Sequence, residues 1–213
     1  MKLFTASVLN GNYKGFKGDK ITDVVNIGIG GSDLGPSMVV ESLSHYKTDL
    51  NTYFISNVDG DHLNEVLSKV NPETTIFIIV SKTFTTIETL TNANSVRSWF
   101  LKSASENDIS KHFIAVSSNV EKAIEYGISS ENIFPMWDWV GGRFSLWSSV
   151  GLSISLSIGY EKFHELLEGA RNMDLHFRNN AFSENIPVLM ACLSLWYNNF
   201  FNYQTHAIIP YSE

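Results

Sequence analysis

The chain has 213 residues, a formal net charge of −7 and 44% hydrophobic residues. No basic run could neutralise a phosphodiester backbone, which argues against nucleic-acid binding. The single cysteine, Cys192, excludes an internal disulfide and favours a reducing, cytoplasmic location. The length allows one domain and part of another. The apolar stretches at 144–160 and 186–195 are too short or too interrupted to span a membrane, so they predict core helices.

Short apolar strands alternate with longer helical segments through most of the chain. The predicted strands are 24–29, 52–56, 75–80, 112–116 and 133–136. This alternation predicts an α/β fold, a doubly wound, parallel five-stranded sheet with helices on both faces. The loops that follow the first and third strands should then meet at the carboxyl edge of the sheet, where open α/β sheets bind ligands.

The first of these loops has the character of an anion-binding turn. Gly28, Gly30 and Ser32 follow the strand and Pro36 suits the first turn of a helix. Asp33 stands where the dinucleotide motif needs its third glycine, and Pro36 replaces the lysine of a Walker-type loop, so neither NAD nor a nucleoside triphosphate is favoured. The remaining possibilities are one phosphate or a sugar hydroxyl, or a helix-capping turn with no ligand.

A second hydroxyl-rich segment, 81–89, follows the third strand. Ser81, Thr83 and Thr86 supply neutral donors, while Lys82 adds a positive charge at the start of a helix whose dipole also favours an anion. Because Ser and Thr are common at helix N-caps for local reasons, a structural cap is the alternative. The expected position of segment 81–89 beside the first loop favours a phosphate site built from both segments.

A third segment, 137–148, combines adjacent glycines with an arginine. Gly141 and Gly142 allow the backbone to approach a ligand closely, and Arg143 carries a planar, permanent charge suited to a developing oxyanion. The alternative is a surface ion pair between Asp138 and Arg143 beneath an aromatic shelf.

Together, these segments resemble the glucose-6-phosphate isomerase family. The similar runs, in the family's order, are 26–37, 81–91 and 140–148, followed by 151–159 and 205–212. The match covers a middle part of the family's length. The resemblance implies a sugar-isomerase (SIS) phosphosugar-binding domain over 1–159 and a second, incomplete SIS-type domain that starts within 160–213.

The same resemblance implies an aldose–ketose isomerase that interconverts glucose 6-phosphate and fructose 6-phosphate through a cis-enediolate, in glycolysis and gluconeogenesis and without a cofactor. The implied substrate-binding residues are Gly31, Ser32, Ser81, Thr83, Thr86 and Gly142, and the implied catalytic residues are Arg143 and Lys82. The family's Met-Glu-Ser-Asn-Gly-Lys motif, its ring-opening histidine and its late catalytic lysine have no counterpart here. Because these elements are missing, we expect the isolated chain to be inactive. The resemblance also implies that the full-length protein is a homodimer, and we expect it to be cytoplasmic.

Other candidate catalytic or metal-binding residues are weaker. Glu88 is the carboxylate within the second segment, but its place in a helix turn makes it a poor candidate for the base, and the six histidines are scattered singly. The run from Asp59 to His62 offers too few ligands for a metal and suits a turn that opens a helix. We predict no metal.

Two alternative functions remain open at this point. One is a non-catalytic sugar-phosphate-binding SIS module, which would need no Arg143. The other is a nucleotide-dependent oxidoreductase, which Asp33 already disfavours.

From Ser145 onward, the alternation of strands and helices ends. The pattern there predicts helices at 145–158, 160–177 and 186–200 and then a strand at 205–209.

Overall fold

Five parallel strands form one sheet in the computed structural model, which describes residues 1–209. The strands are β1 (Asp23–Ile27), β2 (Asn51–Ile55), β3 (Thr75–Val80), β4 (Phe113–Ser117) and β5 (Ile133–Pro135), in the spatial order β2-β1-β3-β4-β5. Each pair of neighbours is parallel. The α/β class and all five predicted strands are confirmed, with small differences at the strand ends.

Helices precede, connect and follow the strands. They are α1 (Lys2–Leu9), α2 (Leu34–Ser42), α3 (Gly60–Lys69), α4 (Ile87–Phe100), α5 (Ile109–His112), α6 (Val120–Glu125), α7 (Leu152–Ile158), α8 (Tyr160–Asn179) and α9 (Ile186–Phe201). The predicted helix at 145–158 is α-helical only from Leu152. Before it lie two 3₁₀ helices, Gly142–Trp147 and Ser149–Gly151, and the Ser148 side chain caps the second by accepting from the Val150 N–H.

Successive residues of the central strands face opposite sides of the sheet, and each side is covered. Phe77 and Ile79 of β3 belong to a core with α3, α4 and α6, whereas Ile76 and Ile78 belong to a core with α1 and α7. All six residues of β3 are buried. A strand buried on both faces has a continuous apolar sequence, which explains why β3 could be recognised.

The chain divides into two compact units, residues 1–163 and 164–213. The boundary falls inside α8, near the predicted boundary at residue 159. The interpretation of residues 160–213 as the start of a second SIS-type domain stays a prediction.

The apolar stretch at 186–195 is helical, as part of α9, but the prediction that it lies in a core is wrong in the described structure. Of the residues of α9, none is buried, and Leu193, Leu195 and Trp196 are each more than half exposed. Cys192 is exposed as well. A helix that is apolar on all sides needs cover on all sides, and the described elements of this unit do not supply it.

The predicted strand at 205–209 is also wrong, since the described chain contains no strand after β5. A strand needs a hydrogen-bonded neighbour, and none is present in this unit up to Ile209. Residues 210–213, with which the last run of family resemblance ends, lie outside the described residues. None of the helices in residues 1–209 is both long and apolar enough to cross a membrane.

Candidate functional site

A cavity of about 200 Å³ lies at the carboxyl ends of β1, β3 and β5. Its lining consists of Ile29, Gly31, Ser32, Val80, Ser81, Lys82, Thr86, Thr89, Met136, Val140, Gly141, Gly142 and Ser145. All three segments singled out in the sequence contribute to it. Six of the eight predicted site residues line the cavity, whereas Thr83 and Arg143 do not.

The first loop is held against the end of β1 by a buried side chain. Asn26 is fully buried, and its Nδ2 donates to the Ser32 carbonyl oxygen at 3.0 Å. Gly28 faces the same turn, where a Cβ would stand 2.7 Å from Ser32 Cβ. Gly30 has a φ of +61°, a conformation that glycine adopts without strain. These contacts hold Ser32 in the lining of the cavity.

The second loop places two hydroxyl groups side by side. Ser81 is 2% exposed, and its Oγ lies 3.1 Å from Thr86 Oγ1, with either atom able to donate. Thr86 is the N-cap of α4, but its side chain makes no capping hydrogen bond. The first-turn N–H groups of α4 therefore lack a side-chain cap, and the positive end of the helix dipole faces the loop.

Phe84, in the turn between Ser81 and Thr86, has an unusual backbone conformation. Phe84 has a φ of +52° and is 3% exposed, with its ring in an edge contact with Tyr126. A positive φ is strained for an aromatic residue, and burial of the ring compensates for that cost. Thr83, just before it, is exposed, and its Oγ1 lies 2.6 Å from that of Thr85.

Lys82 lines the cavity, but its charged group is directed at protein atoms. Its Nζ donates to the carbonyl oxygens of Asp138, at 2.9 Å, and Val140, at 3.0 Å. The lysine thus links the loop after β3 to the segment after β5. These contacts do not test the expectation that Lys82 stands beside the phosphate and takes part in catalysis, and it stays a prediction.

The third segment brings glycine backbone, rather than the arginine side chain, to the cavity. Gly142, at φ +49°, lies against Gly31 of the first loop. Arg143 is exposed, with its guanidinium carbon 4.9 Å from the centre of the Phe144 ring. Within residues 1–209, no ion pair forms between Asp138 and Arg143.

The structure adds residues that the sequence reading did not select. Thr89 is 1% exposed and lines the cavity, and its buried Oγ1 has no hydrogen-bond partner. Ser145, also buried, lines the cavity as well. The spacing could have identified Thr89, because it follows Thr86 by three residues and so shares a helix face with it.

The lining residues within the described chain include no carboxylate and no imidazole. Glu88 is exposed and is not part of the lining. Asp59 is the N-cap of α3, where its Oδ1 accepts from the N–H groups of Asp61 and His62. In residues 1–209, no three His, Cys, Asp or Glu side chains gather in a way that could hold a metal ion.

Asp33, which follows the first loop, is 8% exposed. Burial raises the pKa of its carboxyl group, an effect that the charge of His62 and a hydrogen bond to Ser56 partly oppose. A buried carboxylate at this position is unfavourable for a pyrophosphate, which agrees with the sequence argument against a dinucleotide.

The model of one protein family, described as phosphoglucose isomerase, matches residues 1–213. The chain belongs to this family. It is 62% identical over 210 residues to a glucose-6-phosphate isomerase of Christiangramia forsetii and 58% identical over 214 residues to one of Buchnera aphidicola. These alignments cover 99% and 100% of the chain but 39% of each relative.

A solved phosphoglucose isomerase structure supports the same assignment. The crystal structure of a glucose-6-phosphate isomerase from Chlamydia trachomatis matches with a TM-score of 0.84 and 34% identity, over 99% of this chain and 39% of that one. The resemblance read from the three loops is therefore confirmed, together with the SIS-like fold. The chain spans about two-fifths of the length of these phosphoglucose isomerases.

Proposed function

We propose that this chain is the sugar-phosphate-binding part of an isomerase that interconverts glucose 6-phosphate and fructose 6-phosphate through a cis-enediolate. The observation that carries the proposal is the cavity at the carboxyl edge of the sheet, which is lined by Ser32, Ser81 and Thr86, with Thr86 at the N-cap of α4. Neutral hydroxyl donors and a helix N-terminus form a site for a phosphate group. Membership of the phosphoglucose isomerase family supports the reaction class.

The size of the cavity supports a small ligand. At about 200 Å³ it is smaller than the roughly 300–1,000 Å³ of sites for drug-sized ligands. In this proposal the phosphate lies against Ser81 and Thr86, while Gly31 and Gly142 allow the sugar to approach the backbone. Arg143 stabilises the enediolate, for which its exposed side chain would turn from the Phe144 ring toward the substrate.

The isolated chain should bind the substrate without converting it. Transfer of a proton between adjacent carbons needs a base within hydrogen-bond reach, and the described lining holds no carboxylate or imidazole. The relatives extend well beyond the matched segment, and we propose that the base and the ring-opening acid lie in their remaining length. This division separates phosphate binding from proton transfer.

A chimera would test the proposal directly. Residues 1–213 would replace the matching segment of the Christiangramia forsetii enzyme, to which they are 62% identical. We expect this chimera to isomerise glucose 6-phosphate, and an Arg143→Ala version of it to lose about 10²- to 10³-fold in kcat with little change in KM, as for other lost oxyanion donors. A folded chimera without activity, in parallel with an active parent, would refute the proposal.

A non-catalytic sugar-phosphate-binding module is the second candidate, favoured by the absence of a base from the described cavity. It needs the hydroxyl groups but not the arginine. Full activity of the Arg143→Ala chimera would remove the assigned role of Arg143. Phosphosugar binding by the chain together with an inactive chimera would favour the module.

A further inference from the structure

We propose that Lys82 is a positioning residue. In this proposal its ammonium group holds the segment from Asp138 to Gly142, here called the glycine segment, against the cavity. The phosphate is left to the hydroxyl groups and the helix N-terminus. The inference rests on the proposed function in one respect only, that the cavity is the sugar-phosphate site.

The main chain of Lys82 is fixed to the end of β4. Its carbonyl oxygen accepts from the Ser118 N–H at 2.9 Å, from Ser117 Oγ at 3.0 Å and from Ser118 Oγ at 2.6 Å. Three donors on one carbonyl leave that peptide little freedom. The lysine stem therefore starts from a fixed point, and its direction does not depend on a ligand.

The other end of the side chain reaches a segment two strands away. Lys82 follows β3 and the glycine segment follows β5, with β4 between them, a separation of about 10 Å at the usual strand spacing. Two of the three ammonium donors are used by the carbonyl oxygens of Asp138 and Val140. Both carbonyls belong to a tight turn, residues 137–140, in which the Val140 N–H donates to the Trp137 carbonyl oxygen at 3.0 Å.

The burial of these groups determines what loss of the ammonium would do. Val140 is 2% exposed, so water has poor access to its carbonyl oxygen, whereas Asp138 is exposed. A carbonyl that loses its only charged donor in a buried place is costly to leave unpaired. The glycine segment should therefore move or open when Lys82 loses its charge.

The position of the glycine segment matters because it lies against the first loop. Gly31 and Gly142 are in backbone contact, so a shift of one changes the space next to Ser32. Lys82 thus couples the second loop to the third, and the third abuts the first. In this way one side chain positions all three parts of the cavity.

Amide hydrogen exchange of the 213-residue chain without ligand tests the proposal. In Lys82→Met, which keeps the length of the stem, we expect the Val140 and Phe144 amides to exchange at least about tenfold faster, while the amides of β1 and β3 keep their rates. Lys122→Met, an exposed lysine on α6, is the control for the change in net charge. Lys82→Arg retains N–H donors and should restore part of the protection. Unchanged exchange of both amides in Lys82→Met would overturn the proposal.

The ammonium nitrogen of Lys82 gives a second measurement that needs no variant, and it decides the question if Lys82→Met does not fold. We expect a nitrogen-15 ammonium resonance that is present in the unliganded chain and keeps its position when inorganic phosphate is added. A resonance that is detected only with phosphate, or that shifts in proportion to bound phosphate, would overturn the proposal. Because both measurements can be made without a sugar phosphate, their failure would leave the phosphosugar proposal to its own test.

Discussion

Gly31 of the first loop and Gly142 of the third are in direct backbone contact. A Cβ built on Gly31 would lie closer than 3.0 Å to the carbonyl oxygen, the carbonyl carbon and the Cα of Gly142. Backbone atoms cannot turn aside as a flexible side chain can. The contact joins loops that are more than a hundred residues apart in sequence, and it sets the width of the cavity between them.

Replacing Gly31 by alanine should therefore separate the two loops. We expect Gly31→Ala to lower the free energy of unfolding by about 1–3 kcal/mol, as for overpacked sites, and to weaken the binding of a phosphorylated sugar. Gly141→Ala is the matched control, because a Cβ there meets nothing within 4 Å and its φ of 176° suits any residue. Urea unfolding of both variants checks the expectation, and equal stabilities would contradict it.

The hydroxyl pair of the second loop should account for much of the affinity for phosphate. Loss of either hydroxyl, in Ser81→Ala or Thr86→Val, should cost about 1.5–3 kcal/mol of binding free energy for 6-phosphogluconate, as for other hydrogen bonds to charged groups. Thr83→Ala should cost less, since Thr83 is exposed and outside the cavity lining. Calorimetric titration measures all three. Ser95→Ala, an exposed serine of α4, serves as the control, and a larger loss in Thr83→Ala than in Ser81→Ala would reverse the assignment.

Thr89 offers a test in which stability and binding should change in opposite directions. Its buried Oγ1 has no partner within the described protein, so Thr89→Val should raise the free energy of unfolding by about 1 kcal/mol. If the hydroxyl is reserved for the ligand, the same variant should bind 6-phosphogluconate about tenfold more weakly, and Thr89→Ser should retain the affinity. A stabilised variant with unchanged affinity would show that Thr89 is not a ligand residue.

His112 should make the fold sensitive to mild acid. It is fully buried; Nε2 accepts from the Phe16 N–H at 2.9 Å, so Nδ1 carries the proton that it donates to the Thr75 carbonyl oxygen at 2.6 Å. Burial lowers the pKa of this imidazole below its ordinary value. Below about pH 6.5, the unfolded state therefore binds more protons than the folded state. The contribution of His112 to the free energy of unfolding is fully present above that pH and falls as the pH decreases toward the lowered folded-state pKa.

Urea midpoints at pH 7.5 and 5.5 measure this fall. His45→Gln, which removes an exposed histidine, should show the same fall as the unmodified chain. An NMR titration in which His112 of the folded chain takes up a proton near pH 6.5 would contradict the prediction.

The strands and the three loops could be predicted because their signals are local. β3 is buried on both faces and so has an uninterrupted apolar sequence, and glycines or hydroxyl residues follow it and β1 directly. In a parallel sheet, the topology alone then brings these loops to one edge. Five of the six predicted site residues that line the cavity come from these two loops.

Other features depend on where a side chain points or on which elements pack against a helix, and the sequence does not specify either. The charge of Lys82 was evident, but the backbone carbonyls that its ammonium contacts are set by the path of the segment after β5. The apolar residues of α9 predicted burial, yet burial requires partners that the described unit does not provide. The same lack of a neighbour left residues 205–209 without a strand.

A calorimetric titration of the chain with 6-phosphogluconate, with unphosphorylated gluconate as the reference, tests the central claim most directly. That claim is that Ser32, Ser81 and Thr86 form a phosphate site at the carboxyl edge of the sheet. We predict saturable binding of the phosphorylated compound with a stoichiometry near one, and no binding of gluconate. A folded chain that binds both compounds equally, or neither, would contradict the claim.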